Sequence, residues 1–247
     1  MKVAHAFDRA ADYDAHADIQ RIVAERLAAR IAALPLPEAP RVLEIGCGTG
    51  FLGAALIDRL GGARWTMTDI APAMLARTQA RFAGRDGIGY AVADGEAPDF
   101  AGGFDLIVSS LAAQWFADLP RAIARWRSLL APGGRIAFTT LAAGSFAEWR
   151  AAHDGIPPGT PDYPTAATLA AIGLDVAIET LPVRHGDARD FLRSVKAIGA
   201  GTPRPGHRPL TPAQLRAVMA RFDSSGATAS YVVATCIGAA AGEEART

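Results

Sequence analysis

Three glycines at alternate positions, Gly46, Gly48 and Gly50, stand between an apolar run of strand length and a helix-forming segment that begins at Phe51. Glycine has no side chain and tolerates positive φ angles, so such a turn lets a ligand contact the main chain. The dinucleotide fingerprint G-x-G-x-x-G is not met, because Phe51 stands where its third glycine would be. This loop therefore suits a flat, uncharged nucleoside edge and an amino-acid tail better than a pyrophosphate.

Three carboxylates stand where the same ligand would need them. Glu44 comes directly before the glycine turn, where it would meet an ammonium group and repel a pyrophosphate. Asp69 ends the second predicted strand, whose tip reaches the ribose hydroxyls in this topology. Asp94 ends the third predicted strand and could accept from an adenine amino group, with the backbone of Gly95 as the alternative contact to the ring. The competing interpretation of Asp69 and Asp94 is a helix N-cap, where aspartate is favoured.

Strand and helix patterns alternate along the middle of the chain and would bring these residues to one sheet edge. The alternation predicts a mostly parallel, doubly wound α/β sheet with right-handed crossovers. Strands are predicted at 41–46, 64–69, 88–94, 104–111 and 135–141, and helices at 51–60, 72–82 and 120–130. Further helices are predicted at 12–34, 146–152, 187–198 and 212–222, and two late strands at 175–183 and 229–237.

The composition is that of a soluble globular protein, since the 247 residues are 50% hydrophobic and 20% charged. The net charge is zero, which argues against an enzyme that acts on nucleic acid. No apolar run approaches the roughly 20 residues that span a bilayer, and the N-terminus lacks a signal peptide's apolar region, so we expect no membrane association and a cytoplasmic protein. Neither the cysteines nor the histidines have metal-ligand spacing, so no metal is expected. They are Cys47, Cys236, His5, His16, His153, His185 and His207.

Basic residues are concentrated in one late stretch, 184–216, which we call the basic segment. It holds seven basic and two acidic side chains, a net charge of +5 that leaves −5 on the rest of the chain. Such a segment is either an ordinary solvated surface or a docking area for an acidic partner. Its basic members are Arg184, Arg189, Arg193, Lys196, Arg204, Arg208 and Arg216.

The assembly over roughly residues 40–142 resembles the class I methyltransferases. Glu44 and the three glycines match that family's first motif, Asp69 the second, Asp94 the third, FDLIVSSL at 104–111 the fourth and LLAPGGRIAF at 129–138 the fifth. The resemblance implies S-adenosylmethionine as cofactor, S-adenosylhomocysteine as product, and no metal. It also implies a Rossmann-like fold with seven strands, the last antiparallel, and helices on both faces. Ile70 and Ser109 complete the cofactor-binding set that the resemblance implies.

The flanks resemble a narrower family, the malonyl-[acyl-carrier protein] O-methyltransferases of biotin synthesis. The similar stretches are AFDRAADYDAHADIQ at 6–20, SSLAAQWFADLP at 109–120 and FLRSVKAIGA at 191–200. The resemblance implies a single methyltransferase domain in three parts. These are an N-terminal helical lid at 1–37, a cofactor-binding core at 38–142, and a substrate-side cap with a helical insertion and the last two strands at 143–247.

The reaction that this resemblance implies is methylation of the free carboxylate of a malonyl thioester, carried by acyl carrier protein, with coenzyme A as the alternative carrier. Arg150 and Lys196 are the candidates for orienting that carboxylate, and Tyr13 is a candidate catalytic residue of the lid. Arg204 and Arg208 are the candidates for docking the carrier. The candidate substrate-binding residues are Gln114, Trp115 and Phe116. Two other functions stay open: methylation of another small carboxylic acid, and cofactor binding without catalysis.

Overall fold

The computed structural model describes residues 18–197, 204 and 206–240. Its seven strands form one sheet in the order β3-β2-β1-β4-β5-β7-β6. The strands are β1 Arg41–Ile45, β2 Arg64–Asp69, β3 Ile88–Val92, β4 Phe104–Ser110, β5 Leu130–Leu141, β6 Asp175–Arg184 and β7 Thr228–Ala239. The first five pair in parallel. The expected Rossmann-like α/β fold is therefore confirmed.

Strand β7 runs antiparallel to β5. The N–H of Ala142 donates to the Val232 carbonyl, whereas the N–H of Ala240 donates to the Gly134 carbonyl. As the residue numbers rise from Gly134 to Ala142 on the β5 side, the numbers of their partners on the β7 side fall, which is the antiparallel pattern. This direction agrees with the expectation for the last strand.

The helices in the described part of the chain are α1 Asp18–Ile31, α2 Phe51–Leu56, α3 Pro72–Arg81, α4 Leu119–Leu129, α5 Ala147–Ala152, α6 Ala166–Ala170, α7 Ala188–Ala197 and α8 Pro212–Ser224. A 3₁₀ turn covers Ala113–Trp115. Capping side chains start two of the helices. The carboxylate of Asp118 accepts the Arg121 N–H at the start of α4, and Thr211 forms a capping box with Gln214 at the start of α8. None of the helices in the described ranges is long and apolar enough to cross a membrane.

Several predicted boundaries were wrong, and the differences have local causes. Strand β5 begins at Leu130 rather than at 135, because Leu130 already pairs with Phe104 before the register shifts. Strand β3 ends at Val92, so Asp94 lies two residues beyond it rather than at its end. Helix α2 is shorter than 51–60, and α6, with five residues, is too short for its periodicity to be recognised.

The chain divides into two compact units. The larger unit has as its described part 18–140, 167–177 and 235–240, and the smaller unit has 141–166, 178–197, 204 and 206–234. The core of the larger unit packs α1 residues such as Leu27 and Ile31 with central strand residues such as Leu106 and Val108, all fully buried. Apolar burial of this kind supplies most of the stability of an α/β domain.

The smaller unit is built around a cluster of aromatic rings. Phe191 packs against Phe146, Trp149 and Phe222 with ring centroids 5.2–5.9 Å apart. These tilted contacts avoid the face-to-face stacking that the ring quadrupoles disfavour. Helices α5, α7 and α8 are thereby joined through their side chains, because each contributes at least one of these rings.

Candidate active site

The glycine turn between β1 and α2, which we call the cofactor loop (46–50), is in left-handed backbone conformation at each glycine. Gly46, Gly48 and Gly50 have φ angles of 66°, 56° and 87°. A Cβ at Gly46 would lie 2.5 Å from the Ala112 Cβ, whereas nothing lies within 4 Å of a Cβ placed at Gly48. The first glycine is thus required by close packing, and the second leaves space at the main chain for a ligand.

Both polar groups of Gly48 are engaged. Its N–H donates to Asp69 Oδ2 at 2.8 Å, and its carbonyl accepts from Thr78 Oγ1 at 2.7 Å. The Thr49 carbonyl accepts from Arg81 Nε at 2.6 Å. Thr78 and Arg81 were not predicted from the sequence. The available signal was their spacing three residues apart on a helix that directly follows Asp69, which places both on one face toward the loop.

Asp69 ends β2 and is 7% exposed. Its second oxygen, Oδ1, accepts the Ala71 N–H at 2.8 Å, so the carboxylate closes a local turn before α3 while it also holds the loop at Gly48. The helix N-cap interpretation of Asp69 is not borne out, because the N-cap of α3 is Ala71, which has no side-chain cap hydrogen bond. Binding to a ribose remains a prediction.

Glu44 lies behind the loop, with 1% of its surface exposed. It accepts a hydrogen bond from the Gly53 N–H, while burial and the nearby Asp69 charge raise its pKa to about 8. Desolvation dominates this shift, because burial penalises the charged form of a carboxyl group. An ammonium group placed near Glu44 would counteract the shift, which agrees with the role expected from the sequence.

Three of the predicted site residues carry buried polar atoms that find no hydrogen-bond partner among the described residues. These atoms are Glu44 Oε2, Ser109 Oγ and Gln114 Oε1. Glu44 pairs with Val108 across β1 and β4, and Ser109 directly follows Val108. Glu44 and Ser109 therefore lie at the ends of neighbouring strands. Buried polar atoms are rarely left unpaired in folded proteins. Their grouping at one sheet edge indicates a place where a ligand completes the hydrogen bonding.

Ile70 offers an apolar surface next to these polar groups. Its side chain is 38% exposed although it directly follows the buried Asp69. Val92, which pairs with Asp69 across β2 and β3, is 58% exposed. Exposed aliphatic side chains at the carboxyl ends of two parallel strands form a suitable platform for a flat base.

Asp94 is exposed and accepts the Glu96 N–H at 3.0 Å, so it forms a local turn. The Gly95 carbonyl accepts from the buried Trp126 indole N–H at 2.8 Å, and a Cβ on Gly95 would lie 2.9 Å from Phe116. Phe116 in turn packs edge-on against Trp126 at 5.9 Å. Phe116 therefore supports the turn at Gly95 by packing, and the substrate-binding role predicted for it stays a prediction.

Gln114 and Trp115 lie in the 3₁₀ turn after β4. The Gln114 amide donates to the Leu111 carbonyl at 2.5 Å, and Leu111 has a positive φ of 50°. Both Gln114 and Trp115 are half-buried, in the stretch whose Ala112 contacts the cofactor loop at Gly46. The structure therefore places this turn beside the loop, and its contact with a substrate stays a prediction.

The predicted carboxylate-binding arginine belongs to the smaller unit. Arg150 lies in α5, and its guanidinium donates to the Pro161 carbonyl and, at 3.4 Å, to the Asp162 carboxylate. The other oxygen of Asp162 lies 3.6 Å from Nη1 of Arg204. The Arg150 side chain is 29% exposed and the Asp162 side chain 76% exposed. Arg150 thus already holds a carboxylate, one that is open to solvent.

The basic segment is largely on the surface of the smaller unit. Lys196, in the last turn of α7, and Arg208 are exposed, whereas Arg204 is half-buried at Asp162. The other exposed basic side chains are Arg184, Arg189, Arg193 and Arg216. Tyr13 lies outside the described residues. The structure therefore presents a cationic surface but does not test the individual roles predicted for these residues.

Comparison with known proteins agrees with this geometry. The family described as "Methyltransferase domain" matches residues 42–134. A protein of Magnetococcus marinus named malonyl-[acyl-carrier protein] O-methyltransferase is 42% identical over 242 residues, which cover 94% of this chain and 90% of that protein. The biotin biosynthesis bifunctional protein BioCD of Bordetella avium is 50% identical over 237 residues, 93% of this chain and half of that protein's length.

The fold has solved counterparts as well. The crystal structure of the YcgJ protein from Bacillus subtilis superposes with a TM-score of 0.61 at 16% identity, covering 86% of this chain and 97% of that one. At this identity the likeness supports the fold only. The sequence relationship is more specific, because it extends over nearly the whole length of a single-function relative. The chain therefore belongs to the malonyl-[acyl-carrier protein] O-methyltransferase family.

Proposed function

We propose that this chain transfers the methyl group of S-adenosylmethionine to the free carboxylate of a malonyl thioester borne by acyl carrier protein. The methyl ester then enters biotin synthesis, and we place the reaction in the cytoplasm. The observation that carries the proposal is an intact cofactor loop, with left-handed Gly48 anchored by Asp69, in a chain of this family. Malonyl-coenzyme A is the proposed second substrate.

The larger unit fits S-adenosylmethionine by the chemistry of its donors and acceptors. Asp69 supplies a carboxylate for the ribose hydroxyls at the end of β2, and Ile70 offers an apolar surface to the adenine. Glu44 supplies a buried acid toward the ammonium group, and Ser109 and Gln114 supply unpaired polar atoms. Asp94 and the backbone of Gly95 remain the proposed contacts to the ring edge. Open space above Gly48 lets the ligand reach the main chain.

The reaction makes modest demands on the protein. An ordinary carboxyl pKa is about 4, so a malonyl carboxylate is ionised at neutral pH and needs no general base. S-adenosylmethionine supplies a methyl group on a sulfonium, and the carboxylate oxygen bonds to that carbon while the carbon–sulfur bond breaks and its electron pair stays on sulfur. The chain's own task is to orient the carboxylate and to exclude water from it.

Arg150 is the proposed orienting residue. A guanidinium matches a carboxylate in shape and charge. Asp162 demonstrates this match, since its carboxylate lies 3.4 Å from Arg150 Nη1. Because Asp162 is 76% exposed, a substrate carboxylate can replace it at modest cost. Lys196 is the second candidate for this role, and Tyr13 and the Gln114–Phe116 turn remain the proposed lid and wall.

The basic segment is the proposed docking surface for the carrier. Acyl carrier proteins are acidic, and exposed cations such as Arg208 would attract them and set their orientation. Arg204 connects the proposed docking surface to the proposed carboxylate-binding residue within the smaller unit, because Arg204 and Arg150 both lie close to Asp162. The proposal therefore assigns carrier recognition to the smaller unit and cofactor binding to the larger.

The test is mass spectrometry of malonyl-carrier protein incubated with the enzyme and S-adenosylmethionine. A gain of one methyl group on the malonyl moiety is expected, with S-adenosylhomocysteine formed in equal amount. The matched control is the malonamyl thioester, whose terminal amide lacks the charge and should not be methylated. Methylation of the amide analogue, or of neither substrate, would contradict the proposal, and transfer to free small acids alone would favour the alternative substrate class.

A further inference from the structure

Helix α3 contributes a buried hydroxyl to the cofactor loop. Thr78 is fully buried, and its Oγ1 donates to the Gly48 carbonyl at 2.7 Å. The Cys47 thiol lies 3.6 Å from Thr78 Oγ1 and donates to it. The Thr78 hydroxyl thus connects two consecutive residues of the loop.

One turn later, the same helix contributes an arginine that makes two contacts with the loop and one with Phe51 just after it. Arg81 Nε donates to the Thr49 carbonyl at 2.6 Å. Its guanidinium lies over the Phe51 ring, 5.1 Å from the centroid. Its Cδ would be 3.2 Å from a Cβ on Gly50, so the aliphatic stem lies against that glycine. Arg81 therefore holds the last part of the loop and the first residue of α2.

These contacts bear on the loop's conformational freedom. Three glycines in a stretch of five residues would sample many backbone conformations if nothing held them. Hydrogen bonds from a helix to two consecutive carbonyls restrict that sampling before any ligand arrives. A ligand that binds a loop already ordered does not have to supply the ordering entropy, and so it binds more tightly.

We propose that Thr78 and Arg81 are positioning residues that hold the cofactor loop in its binding conformation and thereby set the affinity for the cofactor. The proposal rests on the proposed function, which assigns S-adenosylmethionine to this loop. Both side chains act through the loop carbonyls that they bind. Their loss should therefore weaken the binding of substrate and product cofactor together and leave the rate at saturation unchanged.

The experiment compares Thr78→Val, which keeps the shape but removes the donor, with Thr78→Ser, which keeps the donor. Calorimetry should give a dissociation constant for S-adenosylhomocysteine raised about tenfold in Thr78→Val and close to wild type in Thr78→Ser. Arg81→Met keeps most of the aliphatic stem and should show a similar loss. The KM for S-adenosylmethionine should rise in parallel, with kcat within about twofold of wild type. This is the result expected when a substitution weakens binding equally in the ground state and the transition state.

The matched control is Arg85→Met, which breaks an exposed ion pair with Asp58 at 2.7 Å and should leave cofactor affinity unchanged. Unchanged affinity in both Thr78→Val and Arg81→Met would overturn the proposal, as would a loss of kcat at unchanged affinity. If Thr78→Val fails to fold, Arg81→Met decides alone. Wild-type protein that does not bind S-adenosylhomocysteine would contradict the proposed function instead, so the two failures are distinguishable.

Discussion

The cofactor loop and the Arg150–Asp162–Arg204 group are both proposed binding regions, yet they are built differently. In the loop, both polar groups of Gly48 are bonded at 2.7–2.8 Å by side chains that are at most 7% exposed. Around Asp162 the contacts are 3.4–3.6 Å long, and the shared carboxylate is 76% exposed. The first region is fixed by buried hydrogen bonds and the second by solvated ion pairs.

The difference indicates how each region should respond to change. Buried hydrogen bonds are costly to break because a desolvated group is left unpaired, so the loop should tolerate few substitutions. Exposed ion pairs contribute little to the stability of the protein and are screened by salt. The Arg150–Asp162–Arg204 group should therefore tolerate the exchange of one carboxylate for another. A preformed site suits a cofactor used in every turnover, and an exchangeable ion pair suits a substrate that must enter and leave.

The largest effect is expected from Gly48→Val. A β-branched residue is strained at a φ of 56° and would fill the open space above the loop, so cofactor binding should be lost. Gly84→Val is the matched control, since Gly84 also has a positive φ, 80°, with nothing within 4 Å of its Cβ position. Calorimetry should show loss of binding in the first variant alone, with comparable melting temperatures. Equal binding in both would show that the loop does not contact the cofactor.

Asp69→Asn comes next. The substitution keeps the shape but removes the charge and one acceptor, so a hydrogen bond from Gly48, Ala71 or the ribose is weakened. Charge-assisted bonds contribute about 1.5–3 kcal/mol, which predicts a loss of affinity for S-adenosylmethionine of roughly tenfold to a hundredfold. Thr66→Ser, a conservative change on the same strand, serves as control. Unchanged affinity for S-adenosylmethionine in Asp69→Asn would contradict the assignment of Asp69 to the ribose.

Arg150→Met should raise the KM for malonyl-coenzyme A about tenfold, since one charge-assisted contact to the substrate carboxylate is lost. Cofactor affinity should stay the same, because the Arg150 partners in the smaller unit are Pro161 and Asp162. Steady-state kinetics at saturating S-adenosylmethionine measure the first quantity and calorimetry the second. If Lys196→Met raises KM and Arg150→Met does not, Lys196 is the orienting residue.

Reversal of Arg204 and Arg208 to glutamate should raise the KM for malonyl-carrier protein several-fold, with much less effect on malonyl-coenzyme A. Surface charges act mainly on association, so the difference should shrink as salt increases. The matched control is Arg26→Glu with Arg30→Glu on α1, which changes the net charge equally on exposed residues of the larger unit. Equal effects of the two double variants would mean that only the overall charge matters.

The last prediction concerns protonation of Glu44. Its pKa in the folded protein is raised from 4.5 to about 8, so the unfolded chain ionises first as the pH rises. The free energy of unfolding should therefore fall between about pH 4.5 and 8, and Glu44→Gln should remove that part of the slope. Binding of an ammonium group near Glu44 should release up to one proton at pH 7. Calorimetry in buffers of different ionisation enthalpy measures the number of protons released on binding. Equal proton release in wild type and Glu44→Gln would exclude Glu44 from the ammonium site.

The sequence by itself determined the fold class and the cofactor loop, because both depend on local patterns. Alternating strands and helices specify a doubly wound sheet, and glycines at alternate positions after β1 specify a turn that needs positive φ angles. The position of Asp69 at the end of β2 follows from the same periodicity. The family likewise follows from sequence, through stretches that extend beyond the glycine turn.

Only the tertiary structure decided how the loop and the arginines are held. Thr78 lies 30 residues from Gly48, and Arg81 lies 32 residues from Thr49, so their spacing on α3 indicates a shared helix face but not the carbonyls that they bind. Asp162 was not predicted from the sequence, and only the fold places its carboxylate 3.4 Å from Arg150 and 3.6 Å from Arg204. Long-range hydrogen bonds and ion pairs depend on distances between elements, and those distances are set by packing of the whole chain rather than by residues adjacent in sequence.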